Sequence, residues 1–341
     1  MTLFFLLSGF VIHYNYGAAL FAWRIGAIWS FFAARIARLF PRYILVLAQF
    51  TRAPLPFQKS TFGDVWPYFL TLSQAWLPFT HDGQMLYLLY VPIAWSISAE
   101  FFLYLLYVPL AVVLYRLTAR RALVVAIIVV CATMALRVAN GIGFLQGVTN
   151  DYWAFYLSPY CRFPEFLLGA LVAQIARGRL VPDHATATRD WRWCRAALTF
   201  AAAWPLAIYV AAYHPTYGHV AQHVQQSFGY APGVAALLYV SAVAPGWLGS
   251  ILVNRVAIAL GAASYSTYLL HGYVFWPFMR WQTEIVGAVG TVATVLAMWL
   301  LIAAVSLAGY RFFEVPARRL TRAALDWSRW RREGREAAAP S

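Results

Sequence analysis

The chain has 341 residues, of which 62% are hydrophobic and only 11% are charged. Soluble domains are roughly 45–50% apolar and about 25% charged, so this composition excludes a water-soluble globule and predicts an all-α polytopic membrane protein in the lipid bilayer. The net charge of +14 does not indicate nucleic acid as a partner, because the basic residues lie between apolar segments.

A membrane-spanning helix needs about 20 mainly apolar residues. The sequence predicts about nine transmembrane helices, at 3–20, 43–57, 92–115, 121–138, 155–176, 196–213, 231–247, 256–278 and 285–308. Residues 65–80 are apolar but interrupted by Pro67 and Pro78, so we predict a re-entrant or interfacial segment there. We expect residues 1–310 to form the membrane domain and residues 311–341 a basic, amphipathic cytoplasmic tail.

The basic residues also predict the orientation, because cytoplasmic loops collect Lys and Arg. With residues 21–42 in the cytoplasm, the other large basic loops and the C-terminus are cytoplasmic as well, and Arg52, Lys59 and Arg280 lie outside. The span 3–20 then runs inward from the outside. This direction predicts a further helix before it, and a native start outside the membrane is the alternative.

Ionisable residues within spans are costly and are often functional. Glu100 lies near the outer start of 92–115, one helical turn after Ser96. It is a functional candidate, and the alternative is a carboxylate that an Arg neutralises to lock two helices together. Arg162 and Glu165 share a helical face, so they form either a self-satisfied ion pair or a site for an anionic or hydroxylated ligand.

Two further groups of polar residues follow helical spacing. Ser264, Tyr268 and His271 lie close to one face, where His271 is either functional or a hydrogen-bonding contact between helices. A second set forms a basic face that either anchors the cytoplasmic side or binds a phosphorylated substrate. It consists of Arg35, Arg38 and Arg42.

Three remaining features favour structural roles. Glu314, two residues before Pro316, is typical of a helix end with a local salt bridge. His13 in the middle of the first span favours helix packing. His219 and His223 have a spacing that can hold zinc, but no nearby acid completes a site, so we expect no bound metal.

Six stretches, taken together and in this order, resemble the membrane acyltransferase-3 family. They are "FFLLSGFVI" (4–12), "FFAARIARLFPRY" (31–43), "WSISAEFFLYLL" (95–106), "RFPEFLLGALVA" (162–173), "LGAASYSTYLLH" (260–271) and "FFEVPARR" (312–319). The resemblance implies transfer of an acyl group, often acetyl, from acyl-CoA to a hydroxyl of a carbohydrate or lipid-linked glycan, in the bacterial cytoplasmic (inner) membrane. Acyl-CoA is then a donor substrate, and no permanently bound cofactor is expected.

The resemblance also implies roles for the residues that match the family's motifs. Trp95, Ser96 and Glu100 match its Trp-Ser…Glu segment, and Arg162 and Glu165 match its Arg-x-x-Glu. We expect Glu100 and His271 to be catalytic. The expected substrate-binding residues are Arg35, Arg38, Arg42, Trp95, Ser96, Arg162, Glu165, Ser264 and Tyr268.

In the family, the segment that matches residues 4–12 belongs to the second membrane helix. The first helix carries an Arg and, eleven residues later, the His that is taken as catalytic. We therefore expect an upstream helix of this kind in the full protein. A catalytically inactive truncated remnant is one alternative, and a transporter or flippase, which would also bury ion pairs between helices, is another.

Overall fold

A computed structural model describes residues 1–52, 62–143, 152–177, 187–243 and 253–325. In chain order the helices are α1 (Thr2–Phe21), α2 (Ile25–Arg52), α3 (Phe62–Leu70), α4 (Trp95–Leu114), α5 (Ala119–Gly141), α6 (Pro159–Arg177), α7 (Ala187–Ala212), α8 (Gly218–Ser227), α9 (Ala231–Val243), α10 (Arg255–Ala262), α11 (Ser264–Val289), α12 (Thr291–Gly309) and α13 (Val315–Ala324). The predicted all-helical class is confirmed.

Short elements connect some of these helices. Strands β1 (Thr80–His81) and β2 (Gln84–Met85) form an antiparallel hairpin, with Thr80 opposite Met85. Single 3₁₀ turns cover Leu86–Leu88 and Pro92–Ala94. π-helical turns precede α6 at Trp153–Leu157 and α13 at Tyr310–Glu314.

The chain divides into two compact units. The first comprises Met1–Ile28, Gly63–Tyr87 and Trp95–Gly249, and the second comprises Trp29–Phe62, Leu88–Ala94 and Ser250–Ser341. Each unit is therefore built from separate stretches of the sequence.

Within the described residues, five helical segments are long and apolar enough to cross a membrane. They are Thr2–Phe21, Pro92–Leu114, Ala119–Gly141, Cys194–Ala212 and Thr291–Ala324. These segments support a membrane protein, but the predicted number of nine spans is not confirmed. Helices α2 and α6 contain charged side chains, which lower their hydropathy.

Several predicted boundaries were wrong. The predicted span 256–278 is divided at Ala263, where α10 ends and α11 begins. The predicted span 285–308 starts too early, because α11 continues to Val289 and Gly290 then adopts a positive φ of 83° that ends the helix. Helix α2 begins within the segment predicted as cytoplasmic and runs to Arg52, and residues 53–57 of the predicted span lie outside the described residues.

The segment 65–80 contains no helix of spanning length. Helix α3 has 9 residues, whereas about 20 are needed to cross the hydrocarbon core. The prediction that this apolar segment is not a full span agrees with the short helix and hairpin. The tail forms helix α13 up to Ala324, and the rest of the predicted amphipathic helix lies outside the described residues.

Helices α1 and α6 pack closely because each presents a glycine to the backbone of the other. A Cβ added to Gly9 would lie 1.9 Å from the carbonyl oxygen of Phe166, and a Cβ added to Gly169 would lie 1.9 Å from that of Leu6. Small residues allow such close approach of helix backbones in membrane proteins. This contact brings the polar side chains of α1 within hydrogen-bonding distance of α4 and α6.

In the second unit, tyrosines of α11 bind backbone carbonyls of remote segments. The Tyr265 hydroxyl donates to the carbonyl oxygen of Leu39 at 2.7 Å, and the Tyr268 hydroxyl donates to that of Ile93 at 2.6 Å. These bonds attach α11 to α2 and to the turn before α4. The face of α11 that carries the predicted site residues is positioned by these contacts.

Candidate functional site

Arg162 and Glu165 form a fully buried ion pair on α6. Arg162 Nη1 lies 3.1 Å from Glu165 Oε1 and 3.2 Å from Oε2, and both side chains are 0% exposed. Thr2 of α1 donates a further hydrogen bond to Glu165 Oε1 at 2.8 Å. The pair predicted from the sequence spacing is therefore present, and Arg162 Nη2 is buried without a hydrogen-bond partner among the described residues.

The π-helical turn before α6 completes the surroundings of Arg162. It directs the carbonyl oxygen of Tyr156 toward Arg162 Nε at 2.7 Å, and Nη1 also donates to the carbonyl of Ser227 at 3.2 Å. The Arg162 Cζ lies 4.5 Å from the ring centroid of Tyr156 and 5.6 Å from those of Phe5 and Trp95. Aromatic faces stabilise a guanidinium in this arrangement.

Glu100 lies on α4 and is 5% exposed. Its Oε1 accepts a hydrogen bond from the Ser8 hydroxyl at 2.9 Å and another from the Tyr104 hydroxyl, one turn along α4. Arg162 forms its ion pair with Glu165, so it is not the arginine that the alternative for Glu100 requires. Ser96, at 0% exposure, is buried on the same helix.

A further buried network surrounds His13, a residue whose position in the middle of an apolar span favours helix packing. His13 Nδ1 lies 2.9 Å from the Tyr107 hydroxyl, and Nε2 lies 2.9 Å from Gln174 Oε1. The Gln174 amide nitrogen donates to the carbonyls of Tyr115 and Leu117, so its oxygen is the acceptor toward His13. The neutral imidazole therefore carries its proton on Nε2 and accepts from Tyr107.

The roles of Tyr107 and Gln174 could not be found from the sequence. The one indication in the sequence is Gln174, a single amide side chain within the apolar stretch "LGALVAQIA" (168–176). Both ring nitrogens of His13 are hydrogen-bonded and the residue is 3% exposed, so this buried network links α1 to α4 and α6.

The three arginines of the predicted basic face of α2 have different surroundings in the second unit. Arg42 is buried, with Nε 3.8 Å from Glu314 Oε2, and also donates to the carbonyl of Gly309. Ser266 of α11 donates to the same Glu314 oxygen at 2.5 Å. The prediction of a local salt bridge at Glu314 is therefore wrong. The salt bridge instead joins the end of the helix to α2.

Arg35 and Arg38 differ from Arg42 in their surroundings. Arg35 is buried beside Phe31, with its Cζ 5.9 Å from the ring centroid. Arg38 is partly exposed and forms no ion pair within the described part of the chain. Of the three predicted phosphate-binding residues, Arg38 is the most accessible.

Ser264, Tyr268 and His271 line one cavity, as the helical spacing predicted. The cavity has a volume of about 720 Å³ and lies between α11 and α12 in the second unit. Its other walls are mainly apolar, and include Phe275, Val295, Met298, Trp299 and Ile302. Glu100, Arg162 and Glu165 do not line this cavity.

The hydrogen bond of His271 determines which ring nitrogen is available. Nδ1 lies 2.6 Å from the carbonyl oxygen of Tyr268. A carbonyl oxygen only accepts, so in the neutral ring Nδ1 carries the proton and Nε2 carries the lone pair. Nε2 forms no hydrogen bond to any residue that the structure describes. His271 can therefore accept a proton or a hydrogen bond at Nε2.

The family model described as "Acyltransferase domain", that of the acyltransferase-3 family, matches residues 1–310. No curated protein and no solved structure matches the chain. This match confirms the family predicted from the sequence motifs and assigns acyl transfer as the general activity. The chain belongs to the acyltransferase-3 family of membrane proteins.

Proposed function

We propose that this protein transfers an acyl group, acetyl being the simplest case, from acyl-CoA to a hydroxyl of a carbohydrate or lipid-linked glycan. The observation that carries this proposal is the cavity of about 720 Å³ beside His271. Its volume is within the range of roughly 300–1,000 Å³ that is usual for small-molecule sites. Its mainly apolar walls suit an acyl group, and Ser264, Tyr268 and His271 supply polar contacts.

The chemistry requires a base for the attacking hydroxyl. The hydroxyl oxygen attacks the thioester carbonyl carbon, the carbon–sulfur bond breaks, and CoA leaves as a thiolate. In our proposal the hydroxyl proton passes to His271 Nε2, whose lone pair the Tyr268 carbonyl secures by holding the proton on Nδ1. The imidazolium then returns this proton to the thiolate.

The donor's phosphates need cationic contacts, and Arg38 is our candidate. A guanidinium matches phosphate geometry well, and Arg38 is partly exposed, whereas Arg42 is engaged by Glu314. We propose that α2 presents Arg38 to the cytoplasm, where acyl-CoA is found, in a bacterial inner-membrane protein whose C-terminus is also cytoplasmic.

The experiment measures transfer of radiolabelled acetyl from acetyl-CoA to glycan in membranes that contain the full-length protein. His271→Gln and His271→Asn retain hydrogen-bonding groups but cannot take a proton. Both should lower the transfer rate by roughly 10²–10⁴-fold, the usual contribution of a general base. The apparent KM for acetyl-CoA should change little, because the substitution removes a proton acceptor and no phosphate contact.

A matched control is His219→Gln, since His219 is exposed and lies on α8. This variant should transfer acetyl at the normal rate. His271 variants that are present in the membrane and retain activity within about threefold would contradict the role of His271. Failure of acetyl-CoA to label any glycan with the unaltered protein would contradict the proposed reaction itself.

A further inference from the structure

A second cavity, of about 610 Å³, lies in the first unit between α5, α6, α7 and α9. Its floor is formed by buried side chains, among them Leu168, Val172 and Ala235. Its rim is formed by exposed apolar side chains, including Ile127 and Phe200, which are 53% and 42% exposed. The cavity is thus an open apolar groove, and its lining residues do not include Glu100, Arg162 or His13.

The dimensions of the groove fit one hydrocarbon chain. Along α5 it runs from Leu123 to Cys131, a distance of about 12 Å at 1.5 Å per residue. One leaflet of a bilayer has a hydrocarbon thickness of about 15 Å, half of the usual core. An acyl chain that follows the groove would therefore remain within a single leaflet.

One end of the groove is basic. Arg120 precedes Leu123 by three residues and Ile127 by seven, so it lies on the groove face of α5. Arg195 directly precedes Ala196, the first groove residue of α7. Both arginines are exposed, and neither forms an ion pair with any residue in the described part of the chain.

The contacts of neighbouring helices show that these arginines share one end. Gln174 near the end of α6 donates to the carbonyls of Tyr115 and Leu117, just before α5 begins. At the opposite end of α5, Gly141 contacts Val220 of α8, which follows α7 directly. Because α5 and α7 both run toward this contact, Arg120 and Arg195 precede the groove residues of their helices on the side away from it, where α6 ends with Ile175 among the lining residues.

We propose that this groove is a binding site for an anionic phospholipid. One acyl chain lies on Leu168, Val172 and Phe200, and the headgroup phosphate is bound by Arg120 and Arg195. Phosphate and guanidinium are complementary in charge and geometry, and a zwitterionic lipid would bind with less electrostatic attraction. This inference does not depend on the proposed function, because it uses no residue of the His271 cavity.

The test counts bound lipids on the purified, delipidated full-length protein by native mass spectrometry. The probes are dioleoylphosphatidylglycerol and dioleoylphosphatidylcholine, which have identical chains. The unaltered protein should bind one phosphatidylglycerol in preference to phosphatidylcholine. Arg120→Gln with Arg195→Gln should weaken phosphatidylglycerol binding by about fivefold for each arginine and phosphatidylcholine binding by a smaller factor, so that the preference for phosphatidylglycerol is lost.

A second variant tests the groove itself. Ala197→Phe with Ala236→Phe introduces two rings at partly exposed groove positions and should weaken the binding of both lipids. Arg319→Gln with Arg322→Gln removes the same charge from exposed positions on α13 and should bind phosphatidylglycerol normally. Melting temperatures of all variants establish that each is folded.

Three results would overturn the proposal. The first is equal binding of the two lipids by the unaltered protein. The second is normal phosphatidylglycerol binding by either the Arg120/Arg195 variant or the groove-filling variant. The third is complete displacement of phosphatidylglycerol by equimolar palmitoyl-CoA, which would assign the groove to an acyl donor instead.

Discussion

Gly9 and Gly169 face the opposite helix so closely that neither position has room for a methyl group. Each would place a Cβ 1.9 Å from a backbone carbonyl oxygen, which no side-chain rotation can relieve. The two helix backbones are therefore in direct contact at this point. This contact determines the alignment of α1 with α6, and through it the hydrogen bonds of Thr2 and His13.

We expect Gly169→Ala to destabilise the protein, because α1 and α6 must move apart to admit the methyl group. Overpacking of this kind costs about 1–3 kcal/mol. The melting temperature in detergent should fall measurably. Gly261→Ala is the matched control, since no atom lies within 4 Å of a Cβ at this helical position. Equal melting temperatures for the two variants would contradict the close contact.

Glu100→Gln separates the charge of this residue from its hydrogen bonds. Both Ser8 and Tyr104 donate to the same oxygen of Glu100, so a glutamine can accept both bonds and the protein should accumulate normally in the membrane. If the carboxylate acts in catalysis, acyl transfer should fall by roughly 10²-fold or more. Immunoblotting of membranes together with the acetyl-transfer assay gives both quantities.

One outcome of Glu100→Gln and one further variant are informative. A variant that is abundant and fully active would remove Glu100 from the catalytic candidates. Glu100→Ala should instead reduce abundance, because Ser8 and Tyr104 would lose their acceptor, and an unsatisfied buried donor costs about 1–3 kcal/mol.

Arg38 and Arg42 should respond differently to the same substitution, although they lie one helical turn apart. Arg38→Ala should raise the apparent KM for acetyl-CoA by about tenfold, the loss of one charge-assisted contact. Arg42→Ala should reduce the amount of folded protein, because it leaves Glu314 buried without its cation, at a cost of about 3–5 kcal/mol. Steady-state kinetics and membrane abundance distinguish the two effects, and an unchanged KM for Arg38→Ala would contradict its phosphate role.

Arg162→Lys preserves the charge but not the geometry of the guanidinium. The carbonyls of Tyr156 and Ser227 and the carboxylate of Glu165 are all bound by nitrogens of one planar group. A lysine cannot reach all three, so we expect a loss of at least about 2 kcal/mol in the free energy of unfolding. Arg255→Lys, at an exposed position on α10, should be neutral. Equal stability of the two variants would show that the charge alone is sufficient.

Local features could be predicted from the sequence because helical spacing determines them. The pairing of Arg162 with Glu165 and the common face of Ser264, Tyr268 and His271 both follow from residues three to seven positions apart. Contacts between segments that are remote in the sequence could not be predicted in this way. Nothing in the spacing indicates that Ser8 meets Glu100 or that Arg42 meets Glu314, since those contacts depend on how separate helices are aligned.

Helix boundaries were predictable only where a residue with special backbone properties ends the helix. Gly290 provides such a signal, and the helix starts directly after it, at Thr291, and not at residue 285. The interruption at Ala263 carries no proline or glycine at that position, so apolar composition alone merged two helices into one predicted span.

The hydrogen bonds of α1 prevent this helix from moving by itself. Thr2, Ser8 and His13 each bond to α4 or α6 at a different depth. A slide of one residue, about 1.5 Å with a rotation of 100°, would break all of these bonds together. We therefore expect α1 to move together with α4 and α6.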